Sequence, residues 1–259
     1  MGKVTHGQLY NRRIAVKHLS MHHFELNEEY MKDLRTFGTF DYDYLIKIEG
    51  IVTKSYPDLI VMEYMEHGTL GEYCDTQTGF DLAEALRDII DGIGYCHLNR
   101  FILRHLDQNH ILVTSTNGKP IFKLRPSSKY YLAQVSDEPE VTEDRIDLRQ
   151  VSPEVIQTGS FSSEGDIWSF GILMWSILST NEEPYWGLSN QQVLNAVTGG
   201  WRLPKPNCEK ISESLNNQLH QIMLQCWEDH PSGRPSAKEI QFKIEKIINQ
   251  TSNIPGIPV

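Results

Sequence analysis

Residues 101–113 read FILRHLDQNHILV, and the interpretation of the whole chain depends on this stretch. It follows an amphipathic pattern over Leu82 to Leu98 that predicts a helix. It ends in an apolar run, Ile111 to Val113, that predicts a short strand. The loop between these elements carries two histidines and one aspartate: His105, Asp107 and His110. The identity of the chain therefore turns on the chemistry that this polar loop can perform.

The length of 259 residues is enough for a full hydrophobic core, in one large domain or in two modest lobes. The net charge of −10 argues against nonspecific binding to nucleic acid or to an anionic membrane. We find no apolar run long enough to span a bilayer. The four cysteines are far apart and none forms a CxxC pair, so we expect free thiols in a reducing compartment.

Hydrophobic periodicity divides the chain into a small strand-rich part and a larger helical part. Residues 3–20 alternate around a turn-like segment at 10–13, which predicts a strand pair. Gly68 and the polar run after it mark the boundary between residues 1–65 and 66–249. Further patterns predict a helix over 24–37, strands over 45–52 and 58–64, and a hairpin at Asn117-Gly118.

The second part contains a run, DIWSFGILMWSIL over Asp166 to Leu178, that is apolar nearly all round. Such a pattern predicts a buried helix. Ser163 lies three residues before Asp166, in the spacing of a capping box. Residues 250–259, rich in proline and glycine, predict a disordered tail.

Residues 2–249 resemble a protein kinase domain of the tyrosine kinase group, most like ephrin receptor kinase domains. The segments that carry the resemblance are IKIEGIVTKSYPDLIVMEYMEHGTL, SPEVIQTGSFSSEGDIWSFGILMW, EEPYWGLSNQQVLNAVTGGWRLPKP and LHQIMLQCWEDHPSGRP. The resemblance implies an α+β, bilobal kinase-like fold with a small β-rich N-lobe and a larger helical C-lobe. We expect an N-lobe truncated at the glycine-rich loop, because the resemblance places Gly2 at the last glycine of that motif.

A nucleotide site is implied by the same resemblance. Ile14-Ala15-Val16-Lys17 matches the strand motif V-A-I-K, whose lysine holds phosphates. Asp33 stands where kinases have the glutamate that pairs with this lysine, and Glu29 is a substitute if the helix slides. A solvated acidic face is an equal alternative. The positions implied to contact a nucleotide are Gly2, Val4, Ala15, Lys17, Asp33, Met62, Glu63, Met65 and Leu112.

The catalytic motifs depart from the kinase pattern. The loop that reads H-R-D-L-x-x-x-N in kinases places His105 at the catalytic aspartate and His110 at the asparagine. Leu124 stands at the magnesium-binding aspartate. Asp107 is two residues out of register, so we interpret it as a solvated loop carboxylate.

Structural motifs of the large lobe persist. The resemblance implies an ion pair between Glu154 and Arg234. It also implies that Asp166 holds the backbone of the catalytic loop, whereas the capping box offers a purely local role for this residue.

These features indicate a pseudokinase: a catalytically inactive module that needs no cofactor and works through protein partners, such as active kinases or receptor subunits. Retained Lys17 allows weak ATP binding without magnesium. One alternative is an active tyrosine kinase that uses His105 or Asp107. Another is a truncated receptor fragment. We expect a cytoplasmic location, with no nucleic acid partner and no membrane segment.

Overall fold

The computed structural model describes residues 3–19, 28–54, 57–77, 81–127, 147–180 and 182–252, without the side chains of the last two. The prediction for Gly2 and the prediction for the part of the tail from residue 253 onward lie outside the described residues.

The N-terminal part is a four-stranded antiparallel sheet packed against one helix. Its strands are β1 (Val4–Leu9), β2 (Arg12–His18), β3 (Ile48–Val52) and β4 (Leu59–Glu63), in the spatial order β1-β2-β4-β3. The predicted strand pair is β1–β2, joined by Tyr10 and Asn11 with φ of 48° and 65°. Two left-handed residues form the tight turn that matches the twist of a hairpin.

The helix of this part is α1 (Glu28–Phe37). It buries Tyr30, Leu34 and Phe37, which recur at helical spacing along one face. Phe37 contacts Phe101 with ring centroids 5.5 Å apart, so α1 packs directly on the start of residues 101–113, which we call the catalytic-loop stretch.

Two helices follow the boundary at Gly68, whose φ of 72° suits glycine. Helix α2 (Leu70–Thr76) starts with a capping box between Thr69 and Glu72. Helix α3 (Leu82–Leu98) has the predicted bounds and begins where Asp81 accepts hydrogen bonds from the first turn.

The catalytic-loop stretch leads from α3 through a 3₁₀ turn, Gln108–His110, into a hairpin. The hairpin strands are β5 (Ile111–Thr116) and β6 (Lys119–Leu124). Asn117 and Gly118 connect them with φ of 54° and 77°, as the Asn-Gly signal predicts.

The remaining helices build the core of the large lobe. They are α4 (Pro153–Thr158), α5 (Ser163–Leu178), α6 (Asn190–Thr198), α7 (Glu213–Cys226) and α8 (Ala237–Ser252). Helix α5 is buried along almost its whole length, which confirms the prediction from its all-round apolar pattern. Helix α8 packs along α3 and continues to residue 252, so it includes the first three residues of the predicted tail.

The predicted α+β organisation is confirmed: a small antiparallel-sheet N-lobe is followed by a helical C-lobe. None of the helices within the described residues is long and apolar enough to cross a bilayer. The four cysteines are free thiols.

Candidate functional site

The candidate site is the loop over residues 103–110, and Asp166 at the start of α5 fixes its backbone. The Asp166 carboxylate accepts hydrogen bonds from the backbone N–H of Leu103 at 2.8 Å and of Arg104 at 2.9 Å. His97 lies 3.0 Å from the same carboxylate. Arg104 has a φ of 64°, a conformation that a non-glycine residue adopts only when its surroundings hold it there.

The capping role considered for Asp166 is not the one observed. The N-cap of α5 is Ser162, whose hydroxyl accepts a hydrogen bond from the backbone N–H of Gly165. Asp166 is 2% exposed and its oxygens point to the loop. This aspartate therefore joins α5 to the catalytic loop, which is the role that the kinase resemblance implied.

Arg104 connects this loop to α1 of the N-lobe. Its guanidinium donates to the carboxylate of Asp33 at 2.7 Å and to that of Glu29 at 3.1 Å. A planar guanidinium offers several donors in a fixed fork, so one arginine can satisfy two carboxylates one helical turn apart. Both acidic candidates for pairing with Lys17 are thus bound by Arg104, and the expected Lys17–Asp33 ion pair does not form.

Lys17 is left without a carboxylate in ion-pair contact among the residues that the structure describes. It lies on β2, opposite Val4 of β1 and Ile60 of β4, and is partly buried. Burial, with a smaller contribution from the nearby Arg125 guanidinium, lowers the pKa of Lys17 to about 8. The phosphate-binding lysine of the motif is present, but its acidic partner is engaged elsewhere.

Several of the other implied nucleotide residues come together on the sheet. Ala15 pairs with Met62 across β2 and β4. Val4, half exposed at 51%, stands at the end of β1 beside Lys17. Glu63 forms an ion pair with Lys123, whose Nζ lies 2.9 and 3.0 Å from the two carboxylate oxygens of Glu63.

Two further implied positions flank the passage between the lobes. Met65 is buried just after β4. Leu112 of β5 forms an isolated antiparallel bridge with Thr69. The contacts shown by these implied positions are thus strand pairings within each lobe, and the implied charged pair of Lys17 and Asp33 is not formed.

The centre of the loop is a buried cluster of one carboxylate and two imidazoles. Asp107 lies 3.0 Å from His105 Nε2 through Oδ2 and 2.7 Å from His110 Nδ1 through Oδ1. Oδ1 also accepts the backbone N–H of Asn109 at 2.8 Å, which caps the 3₁₀ turn. The imidazole rings meet edge to face with centroids 4.7 Å apart. All three residues are less than 10% exposed.

This arrangement corrects the interpretation of Asp107 as a solvated loop carboxylate. Burial by itself raises the pKa of Asp107, but the hydrogen bonds from both histidines outweigh it and hold that pKa well below its usual range. Burial lowers the pKa of His110 to about 3. The cluster is thus an anionic carboxylate with neutral His110, and a carboxylate so strongly bound is a poor general base.

Position 124 also differs from its prediction. Leu124 is fully buried, and its backbone bonds to Tyr44 and Ile46 on either side of Leu45. Its side chain lies so close to Gly92 that a methyl group there would stand 2.7 Å away. This position therefore faces the core. A metal ligand placed on it would not reach the region around Lys17, Asp107 and Arg125, which we call the cleft.

The residue after the strand, Arg125, was missed by sequence reasoning. Its Nε donates to the carbonyl of Asn109 at 2.9 Å, and its charge is close enough to influence both Lys17 and Asp107. A basic residue directly after β6 was the available signal. The cleft thus holds two neighbouring cations, and residues 125–127 supply no carboxylate.

The brace of the large lobe is an ion pair between α4 and the segment before α8. Arg234 donates to both oxygens of Glu154 at 2.6 and 2.8 Å, and also to the carbonyls of Glu164 and Glu228. Its guanidinium lies 5.0 Å from the ring centre of Trp168. The pair therefore ties several elements together.

Comparisons with known proteins agree with this fold. A family model described as protein tyrosine and serine/threonine kinase matches residues 1–244. Ephrin type-A receptor 3 of Danio rerio is 34% identical over 253 residues, covering 93% of this chain and 24% of the receptor. Ephrin type-B receptor 1 of Gallus gallus is 33% identical, covering 94% of this chain and 25% of the receptor. The chain thus spans about a quarter of the length of these relatives. It belongs to the protein tyrosine and serine/threonine kinase family.

Proposed function

We propose that this chain is a catalytically inactive tyrosine kinase-like domain that acts as a binding or regulatory module in phosphotyrosine signalling. The observation that carries the proposal is the hydrogen bonding of Asp107, whose carboxylate lies at the centre of the loop. Its oxygens accept hydrogen bonds from His105, from His110 and from the backbone of Asn109. Phosphoryl transfer needs a carboxylate that receives the hydroxyl proton and others that hold magnesium.

Magnesium coordination is poorly supported by this loop. Magnesium is a hard ion that prefers oxygen ligands in octahedral geometry. His110 offers nitrogen at the asparagine position, and residues 125–127, which follow the strand, supply no carboxylate. Loss of a positioned general base alone costs about 10²–10⁴-fold in rate, and loss of the metal ligands adds to it.

The two cleft cations support weak nucleotide binding that does not require a metal. Lys17 and Arg125 are partly buried neighbours, and burial is the main cause that lowers the pKa of each. A polyphosphate placed between them would relieve the repulsion between the two positive charges. Nucleotide would therefore bind as an anion and not as a magnesium complex.

A thermal-shift titration with ATP tests this proposal. We expect the melting temperature to rise at millimolar ATP equally with EDTA and with magnesium, because a ligand that binds only the native state stabilises it. The shift should disappear in Lys17→Ala and persist in Lys119→Ala, which changes an exposed lysine of the β5–β6 hairpin. The absence of any shift would remove nucleotide from the proposal and leave protein binding.

One observation favours an active kinase as the second candidate. His105 lies 3.0 Å from the Asp107 carboxylate, and a histidine oriented by a carboxylate is a common general base. This candidate predicts phosphate transfer to a tyrosine peptide in magnesium or manganese that is lost in both Lys17→Ala and His105→Gln. Transfer that survives both substitutions would point to a contaminating kinase. The inactive proposal predicts no transfer above the level of those variants.

The partners that we propose are proteins, such as active kinases or receptor subunits, on the cytoplasmic side of a membrane. The matched relatives are named as receptors, and this chain covers about a quarter of their length. A fragment of a longer receptor is therefore compatible with the same proposal. Co-purification of the chain with a tyrosine kinase from the same source, abolished by substitutions on one surface, would support it.

A further inference from the structure

The loop cluster has the composition of a metal site that differs from the magnesium site of the family. One ligand atom from each of His105, Asp107 and His110 lies within 4.8 Å of the others. We propose that these three side chains bind a divalent transition-metal ion, for which Zn²⁺ is the best fit. The proposal stands independently of nucleotide binding and of catalysis.

The backbone presents the three side chains before any ion arrives. Asp107 is the N-cap of the 3₁₀ turn and His110 is its last residue. Residues three apart lie one above the other in a 3₁₀ helix, so these two side chains share a face. Arg104, next to His105, is fixed in its left-handed conformation by Asp166. An ion would therefore meet ligands that are already ordered, and little conformational entropy would be lost on binding.

The distances in the cluster fit an ion with small movements. The histidine nitrogens stand 3.0 and 2.7 Å from the carboxylate oxygens. Zinc binds nitrogen and oxygen at about 2.0–2.2 Å, so two ligand atoms in its tetrahedral geometry stand about 3.4 Å apart. Each histidine nitrogen would therefore move away from the Asp107 carboxylate by about 0.4–0.7 Å to admit the ion.

Metal binding requires a change of tautomer at the two imidazoles. In the metal-free cluster His105 Nε2 and His110 Nδ1 are hydrogen-bonded to the Asp107 carboxylate. In the metal-bound form the same nitrogens turn their lone pairs to the ion, and each ring carries its proton on the other nitrogen.

The ligand set favours zinc, cobalt or nickel over magnesium and calcium. Imidazole nitrogen suits the later divalent metals, whereas magnesium and calcium prefer oxygen. Three protein ligands are the number found in zinc sites that keep one position open for water or another ligand. Arg125 is a nearby positive charge that opposes the ion, so we expect weaker binding than in a closed four-ligand site.

The decisive experiment is a metal titration of the purified chain after dialysis against a chelator. We expect about one equivalent of Zn²⁺ to remain after desalting, with a higher melting temperature, and no shift with magnesium. Co²⁺ should give visible absorption bands and selectively broaden the ring NMR signals of His105 and His110. His110→Asn should remove these effects, and His230→Asn, an exposed histidine that pairs with a serine hydroxyl, should keep them.

A second variant keeps the proposal falsifiable if His110→Asn fails to fold. His105→Gln preserves a group that can donate to Asp107 but removes the ligand nitrogen, so it should fold and lose the metal. Absence of zinc retention and of cobalt bands in the folded wild-type chain would show a hydrogen-bonded triad only. Binding that is unchanged in both folded variants would place the ion elsewhere. Either result would overturn the proposal.

Discussion

The cleft lysine gives the sharpest test of how the charges of this domain are arranged. Lys17 is a partly buried cation, and no carboxylate among the described residues lies in ion-pair contact with it. A buried charge without a partner destabilises a fold. We therefore expect Lys17→Met to stabilise the protein, because methionine keeps most of the length of the side chain and removes its charge.

The magnitude follows from the pKa. The pKa of Lys17 falls from 10.5 to about 8 in the folded state, and each pKa unit corresponds to a free energy of about 1.4 kcal/mol. At pH 7 the folded protein must keep a proton that burial disfavours, at a cost on the order of 3 kcal/mol. Between pH 8 and 10.5 the unfolded chain binds more protons than the folded one, so wild-type stability rises. The advantage of Lys17→Met should thus be largest below pH 8 and about half as large at pH 9.5.

Urea unfolding of both proteins between pH 6.5 and 9.5 measures this difference. Lys123→Met is the matched control, because Lys123 is also in the cleft region but is paired with Glu63 at 2.9 Å. Its removal should destabilise the protein, since it leaves a partly buried carboxylate without its cation. A Lys17→Met protein that is less stable than wild type at pH 7 would refute the reasoning. So would an advantage that does not shrink as pH rises.

Three other predictions concern the framework around the cleft. Arg234→Ala should cost about 3–5 kcal/mol in urea unfolding, because it removes a fully buried guanidinium and leaves the partly buried Glu154 carboxylate unpaired. Asp229→Ala, which removes an 81% exposed partner of a surface pair, should cost less than about 1 kcal/mol. Gly92→Ala should lower stability by about 1–3 kcal/mol, because its methyl group would lie 2.9 Å from a backbone oxygen; an unchanged midpoint would contradict that packing. Arg104→Ala should speed amide hydrogen exchange in α1, since it releases two carboxylates of that helix, and equal exchange rates would show that the contact does not hold it.

Local signals in the sequence were sufficient for most elements of the fold. The Asn117-Gly118 pair predicted its hairpin because both residues tolerate the left-handed backbone that such a turn needs. The all-round apolar run after Asp166 predicted a buried helix, because no face of it could be left to water. Helix α3 has the predicted bounds because Asp81 marks its start with a cap.

The candidate site was harder to predict, because its properties depend on which of several possible partners contacts each side chain in the folded protein. Asp33 was expected beside Lys17, but Arg104, 71 positions away, binds it instead. Asp107 was expected in water, because its sequence position matches no catalytic pattern. The 3₁₀ turn and the two histidines bury it, and none of these contacts is visible as a spacing until the loop is folded.

The sequence by itself determined the order of most elements and the division into a strand-rich N-lobe and a helical C-lobe. These follow from periodicity, from turn residues and from the identity of single side chains, all of which are local. Only the tertiary structure decided how the charges pair, because an ion pair needs two groups within about 4 Å and each has several candidates along the chain. The choice of Arg104 for Asp33, and of two histidines for Asp107, leaves Lys17 beside Arg125. That choice of partners decides what the cleft can bind.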